Sequence, residues 1–241
     1  MNEELVLNSV VPYGDVDRDE RLLLPGLFKI LQEAAIKHAD KFDVGTRAMA
    51  RGESWVLNRM ATAIHRYPRY EEPLRVVTWS SGVRTFKGYR DFRVFCGDEL
   101  VAAASSLWLY VNLKTKSLVR VPEAVVRHFP SHPGEVFMDG LDKLHLLPPG
   151  AGVPPTCRAS VRYSDVDGNG HVNNTTYVDI LQTALARAGH SPRPGAIQIQ
   201  FLKEIPADAE NVDVRLEARD RAVAFSLAGP DALFAQGLVV S

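Results

Sequence analysis

Tyr13-Gly14-Asp15-Val16-Asp17, followed by Ile30-Leu31-Gln32, returns 150 positions later as Tyr163-Ser164-Asp165-Val166-Asp167, followed by Ile180-Leu181-Gln182. Across residues 13–34 and 163–184, 8 of 22 positions are identical without a gap. Chance gives about one or two such identities, so the chain reads as a duplicated structural unit. The copies then diverge. Asp19 and Arg21 of the first are Asn169 and His171 in the second, which gathers groups suited to chemistry in one half only.

Working outward, each copy runs from an Asp-rich turn into a helical pattern. Leu27, Ile30, Leu31, Ala34 and Ala35 share one face; Tyr177, Ile180, Leu181, Ala184, Leu185 and Ala188 repeat the spacing. Pro25 suits a first helical turn, Asn173 or Asn174 a cap, and Gly45 and Gly189 the ends. The period then drops to two. Strands are predicted over 54–67, 74–82, 86–96 and 100–112, and again over 196–204, 211–217, 222–228 and 232–240. Seven of the fifteen prolines lie between Pro122 and Pro155, beside Gly150 and Gly152, which reads as a linker. The expected organisation is an α+β unit over 1–130, a connection over 131–155 and a second unit over 156–241, paired as a two-fold dimer would be within one chain.

The 241 residues are 46% hydrophobic with a formal net charge of −1, which suits soluble cores and argues against a dedicated nucleic-acid binder. No apolar run reaches the roughly 18 to 20 residues of a membrane span, and Glu3, Glu4, Asp15 and Asp17 replace a basic export leader. The expectation is a cytoplasmic protein. Cys96 and Cys157 are far apart, so a disulfide, a zinc site or a Cys nucleophile is not expected.

The second turn, Asp165-Val-Asp167-Gly-Asn169-Gly-His171-Val-Asn173-Asn174, opens as a calcium-binding EF-hand loop does. Thr176 stands where the bidentate Glu belongs, and Arg158 to Tyr163 alternates like a strand, so no metal is expected. Turn and cap preferences account for Gly168, Gly170 and one Asn. They leave the alternation of Asp167, Asn169 and His171 unexplained. In an extended loop, residues two apart point the same way, so these side chains could converge at a helix N-terminus whose free N–H groups suit an oxyanion. Glu204 follows in the next strand; aligning Pro206 with Pro68 sets Arg66 opposite it.

At these residues the chain resembles the acyl-acyl carrier protein thioesterase family of bacteria and plant plastids. The family's Asp-x-Asn-x-His-x-x-Asn and following Tyr are met by Asp167, Asn169, His171, Asn174 and Tyr177, and its later acid by Glu204. Further similarity runs through Gln32-Glu33-Ala34-Ala35, Ser54-Trp55-Val56-Leu57, Arg66-Tyr67-Pro68, Thr78-Trp79, Arg90-Asp91-Phe92 and Ser105 to Trp108, nearly the whole chain. The resemblance implies a tandem double hotdog, each half a long helix on an antiparallel sheet. It implies hydrolysis of fatty acyl thioesters on acyl carrier protein without a cofactor. Ile205 stands where plant members carry a Cys, and Ile180 and Thr183 replace their Trp and Glu.

On that resemblance Glu204 is the general base for water, with direct carboxylate attack as a variant. His171 and Asn169 hold the thioester or the water, and Asp167 orients them. Asn174 and Tyr177 join the substrate site, and Met49, Trp55 and Met60 close an apolar tunnel for the acyl chain. The acidic carrier would dock on Arg84, Lys87, Arg90 and Arg93, or on Lys114, Lys116 and Arg120. An acyl-CoA thioesterase with the same site, and a non-catalytic acyl-binding protein, are the alternatives. Either a monomer with an internal pseudo-two-fold or a homodimer fits the duplication.

Overall fold

The computed structural model describes residues 4–42, 52–129 and 137–241; Met49 and Gly45 lie outside the described residues. Contacts divide the chain into two compact units, Met1–Leu22 with Lys29–Leu144, and Leu23–Phe28 with His145–Ser241.

The first unit contains β1 (Leu5–Val10), a 3-10 turn (Tyr13–Asp15), the part of α1 (Leu24–Asp40) from Lys29 onward, β2 (Glu53–Ile64), β3 (Pro73–Arg84), β4 (Lys87–Cys96), β5 (Glu99–Asn112), β6 (Ser117–Leu118) and the short α2 (Glu123–Val126). Its sheet has the order β1-β3-β4-β5-β2, antiparallel throughout, with β6 on the end of β5. In α1 the residues Leu24, Leu27, Leu31, Ala34 and His38 are buried at helical spacing. Lys29, Glu33 and Lys37 face water on the opposite side, and Lys37 pairs with Glu33 one turn back.

Adjacent residues of a strand point to opposite faces, and on β4 this separates two buried charges. Arg90 Nη1 donates to His38 Nδ1 at 2.7 Å and to Thr78 Oγ1 at 3.1 Å. A guanidinium can only donate, so His38 carries its proton on Nε2 if neutral. Burial lowers the Arg90 pKa to about 10. Arg90, expected above as a docking cation, is therefore an interior side chain. Asp91 accepts from the Ser81 and Ser105 hydroxyls and from Phe137 N at 3.0 Å, and burial pushes its carboxyl up.

The second unit contains β7 (Cys157–Ser160), a 3-10 turn (Tyr163–Asp165), α3 (Asn174–Arg187), β8 (Ala196–Phe201), β9 (Asn211–Arg219), β10 (Ala222–Ala228) and β11 (Leu233–Val240). Its strands follow the order β8-β11-β10-β9-β7, again antiparallel. Helix α3 lies across β7, β9 and β10 and buries Tyr177, Val178, Leu181, Ala184 and Leu185. Asn173 caps its start; Gly189, at φ +77°, turns the chain out, with His190 N donating to Leu185 O at 2.9 Å. Gly237 is required by close approach, since a Cβ there would sit 2.0 Å from Gln198 O and 2.5 Å from the Phe225 ring.

From residue 137 the chain closes the first unit through a 3-10 turn, Leu141–Lys143, and then opens the second. Arg59 Nη1 donates to the carbonyls of Leu141 and Leu144, and Lys87 pairs with Asp142 at 2.9 Å. Farther on, Gln236 holds Leu146 O, Arg219 holds Pro148 O and Arg215 holds Val153 O. These long cations and amides satisfy carbonyls that lack a ladder. Cys96 and Cys157 are free thiols. Among the described residues, no helix is long and apolar enough to cross a membrane.

Candidate active site

The second Asp-rich turn is a tight hairpin held by its own backbone and by two carboxylates. Asp167 N donates to His171 O at 3.1 Å, and Gly170 N donates to Asp167 O at 3.0 Å, with Gly170 at φ +83°. Asp167 Oδ1 accepts from Asn169 N at 2.8 Å, and its Oδ2 accepts from Asn173 Nδ2 at 3.1 Å. Just before it, the buried Asp165 carboxylate accepts from Arg162 N and the Arg162 guanidinium, while its carbonyl accepts from Asn173 N. The hairpin is thereby fixed at its base and tip.

A second set of bonds lays the hairpin beside the chain leaving β8. Val172 N donates to Ile205 O at 3.1 Å, and His171 bridges Pro206. This register brings His171 Nε2 to 3.5 Å from Glu204 Oε1. The His171 and Glu204 side chains are 31% and 40% exposed, within reach of water yet facing each other. Asn169 is exposed at the hairpin tip. Asn174, half-buried, is the first residue of α3.

Two expectations change here. The amides of Thr175 and Thr176 are taken by the cap, donating to Asn173 Oδ1 and Asn173 O at 2.9 Å. Those two donors are therefore engaged within the cap. Tyr177 is 1% exposed, and its hydroxyl is engaged by backbone: it donates to Lys203 O at 3.1 Å and accepts from Ile205 N at 2.8 Å. Burial, with Glu204 and Asp167 nearby, raises its pKa further above the ordinary phenol value. The phenol is thus a neutral hydrogen-bonding bridge.

The first copy has the same skeleton. Asp17 N donates to Arg21 O at 2.8 Å, Glu20 N to Asp17 O at 2.9 Å, and Asp17 Oδ1 accepts from Asp19 N and Arg21 N. Leu22 N donates to Pro68 O, as Val172 N does to Ile205 O. Pro68 therefore corresponds to Ile205, and Tyr67, not Arg66, stands opposite Glu204. The two prolines are offset by one residue. Arg66 is engaged elsewhere, by Glu72 and Glu99. At the position of His171, Arg21 donates from Nη1 to Tyr67 O at 3.0 Å.

Trp55 and Met60 are on β2 in the first unit. Trp55 packs on Tyr110 at 4.9 Å between ring centroids and covers Gly88, where a Cβ would lie 2.8 Å from the indole; Met60 is buried. Of the cations considered for docking, Lys87 is paired with Asp142, and Arg84 and Arg93 lie near the faces of Tyr89 and Trp79. Lys114, Lys116 and Arg120 are exposed around β6.

The sequence model of the Acyl-ACP thioesterase N-terminal domain matches residues 7–129, and that of the Acyl-ACP thioesterase C-terminal domain matches residues 155–225. A palmitoyl-acyl carrier protein thioesterase, chloroplastic, of Gossypium hirsutum is 26% identical over 208 residues, covering 81% of this chain and 50% of its own length. The chain spans about half the length of the curated relatives it matches. Among solved structures, an acyl-ACP thioesterase from Bacteroides thetaiotaomicron superposes with TM-score 0.82 at 19% identity, covering 98% of this chain and 97% of that one. The 12:0-ACP thioesterase of Umbellularia californica gives TM-score 0.83 at 18% identity, covering 98% and 96%. Those likenesses show the fold, a tandem double hotdog.

Proposed function

The chain belongs to the acyl-ACP thioesterase family, and from that premise we propose that it hydrolyses fatty acyl thioesters on acyl carrier protein, releasing free fatty acid and the carrier thiol. The observation that carries this reading is the His171–Glu204 pair at 3.5 Å, present in one copy of a duplicated turn and replaced by Arg21 and Tyr67 in the other.

A thioester carbonyl is already electrophilic, so the site needs an activated water, an oriented carbonyl and a donor for the developing oxyanion. Glu204, carrying an accessible carboxylate, takes a proton from water as it attacks the carbonyl carbon. His171 faces that carboxylate and orients the water or the thioester. Asn169 offers its side-chain amide to the carbonyl oxygen. Asp167 acts on both through the hairpin, since its carboxylate holds Asn169 N and Asn173 Nδ2. Collapse of the tetrahedral intermediate expels the thiolate, which recovers the proton.

The acidic carrier would meet the exposed Lys114, Lys116 and Arg120 group. The cotton and Umbellularia relatives are named for palmitoyl and 12:0 chains, so the family name alone sets no length. Trp55 and Met60 are our candidates for setting it. We place the enzyme in the cytoplasm, where the cotton relative is named chloroplastic.

The test is thiol release from matched saturated acyl-carrier-protein and acyl-CoA series, run beside Glu204→Ala. Carrier-bound turnover that vanishes in the variant is the expected result. Cleavage of acyl-CoA alone would change the partner, and cleavage of neither would remove the hydrolase reading.

A further inference from the structure

Glu204 lies just beyond the end of β8, where the sheet ladder no longer holds the backbone. The groups flanking it are bonded one by one. Lys203 N donates to Phe234 O at 3.2 Å, and Ile205 O accepts from Val172 N at 3.1 Å. The two that remain, Lys203 O and Ile205 N, both go to the Tyr177 hydroxyl, at 3.1 and 2.8 Å. A single oxygen therefore brackets Glu204 from both sides. The ring is itself fixed, 1% exposed and edge-on to Phe201 at 5.4 Å between centroids.

The duplication supplies an internal control. Leu27 occupies the position of Tyr177 in the first copy and has no hydroxyl. There the corresponding stretch is held from the turn, by Arg21 on Tyr67 O. In the second copy that anchor is gone because the position has become His171, whose ring faces Glu204. The phenol and the His–Glu pair are found together in one copy and absent together from the other.

We propose that Tyr177 is a positioning residue for Glu204, its hydroxyl replacing the sheet ladder so that the carboxylate is held toward His171 and the attacking water. The role rests on the hydrolase reading above and differs from the substrate contact expected from the sequence. Misplacing a reacting group by about 1 Å can cost on the order of a hundredfold in rate.

The experiment compares Tyr177→Phe, Glu204→Gln and the double variant on an acyl-carrier-protein substrate, with cooperative thermal melting as the check on folding. Tyr177→Phe keeps the ring against Phe201 and removes one atom. The expected result is a kcat lower by roughly ten- to a hundredfold with KM within about twofold, and no further loss when the change is added to Glu204→Gln, since a positioning residue has nothing left to position. Unchanged kcat overturns the proposal. So does an equal loss in the Glu204→Gln background, which marks a general structural role, or a rise in KM alone, which marks a substrate contact. If the variant does not fold, native-state hydrogen exchange of the wild type decides: a fast-exchanging Ile205 amide overturns the clamp, and a protected one supports it. Failure of the wild type to cleave any thioester removes the hydrolase reading and this role with it, and is seen before any variant is compared.

Discussion

The turn at Asp17 and the turn at Asp167 share a backbone and differ in what the backbone presents. Both close with a carboxylate accepting from amides two residues on, both place a positive φ at the same position, and both lie beside a strand exit through one amide-to-carbonyl bond. Upon this common frame the first copy sets Asp19, Arg21 and Tyr67, and the second Asn169, His171 and Glu204. In the first, Arg21 spends its guanidinium on a carbonyl of the neighbouring segment. In the second, that tether has moved to Tyr177, which leaves an imidazole and a carboxylate facing each other. The frame is common to both copies, and the tether is what differs between them.

The hardest test of this division is loss of function confined to one copy. Glu204→Gln or His171→Ala should each lower kcat by about 10²- to 10⁴-fold, the usual worth of a positioned acid or base. Arg21→Ala should leave turnover nearly unchanged and lower only the melting temperature; a comparable kinetic loss there would break the comparison. Next in size are the two carboxylates of the frame. Asp17→Ala and Asp167→Ala should each cost about 1 kcal/mol in urea unfolding, for lost hydrogen bonds. Only the second should also slow turnover, by about tenfold through a loosened hairpin.

Smaller effects come from the shared positive φ. Glu20, at φ 57°, bears a strain that Gly170 avoids. Glu20→Gly should raise the melting temperature by about 2–4 °C, taking about 1 kcal/mol for the left-handed conformation of a residue with a Cβ. Gly170→Ala should lower it by a similar amount, because nothing crowds a Cβ there and the cost is backbone alone. The smallest expected change is pH-dependent and lies outside both turns. Asp91 has a carboxyl raised above the ordinary 3.8 by burial, so the folded state binds its proton more tightly than the unfolded state. Its contribution to stability therefore grows as pH falls through the folded-state pKa toward the ordinary value. Urea midpoints of wild type and Asp91→Asn at pH 7 and pH 5 should show the wild type gaining on the variant at the lower pH.

Much of the frame could be read from sequence because it is periodic. The eight strands expected from alternation fall within three residues of β2 to β5 and β8 to β11, and the two helices begin where Pro25 and Asn173 indicate. β1 escaped because it is a short edge strand carrying Asn8 and Ser9, whereas β7 showed as the strand-like alternation from Arg158 to Tyr163. Arg90 misled because Arg90 and Asp91 are consecutive charges in a strand; alternation buries one of them whichever way the strand faces, and here lateral packing buries both. The register of the copies was off by one because proline is a local signal, whereas the true correspondence is carried by the Leu22–Pro68 and Val172–Ile205 backbone bonds. The pairing of His171 with Glu204 was legible as an asymmetry between copies. The clamp was not, since the partners of Tyr177 are backbone atoms 26 and 28 residues away that no side-chain pattern marks.

The closely bonded hairpin has a thermodynamic consequence. Four backbone bonds and two carboxylates hold residues 165–173, so the conformational entropy of arranging this backbone is surrendered during folding, before any acyl chain arrives. Binding then has little left to order in this loop. The activation entropy of the chemical step, read from the intercept of an Eyring plot, should accordingly be small.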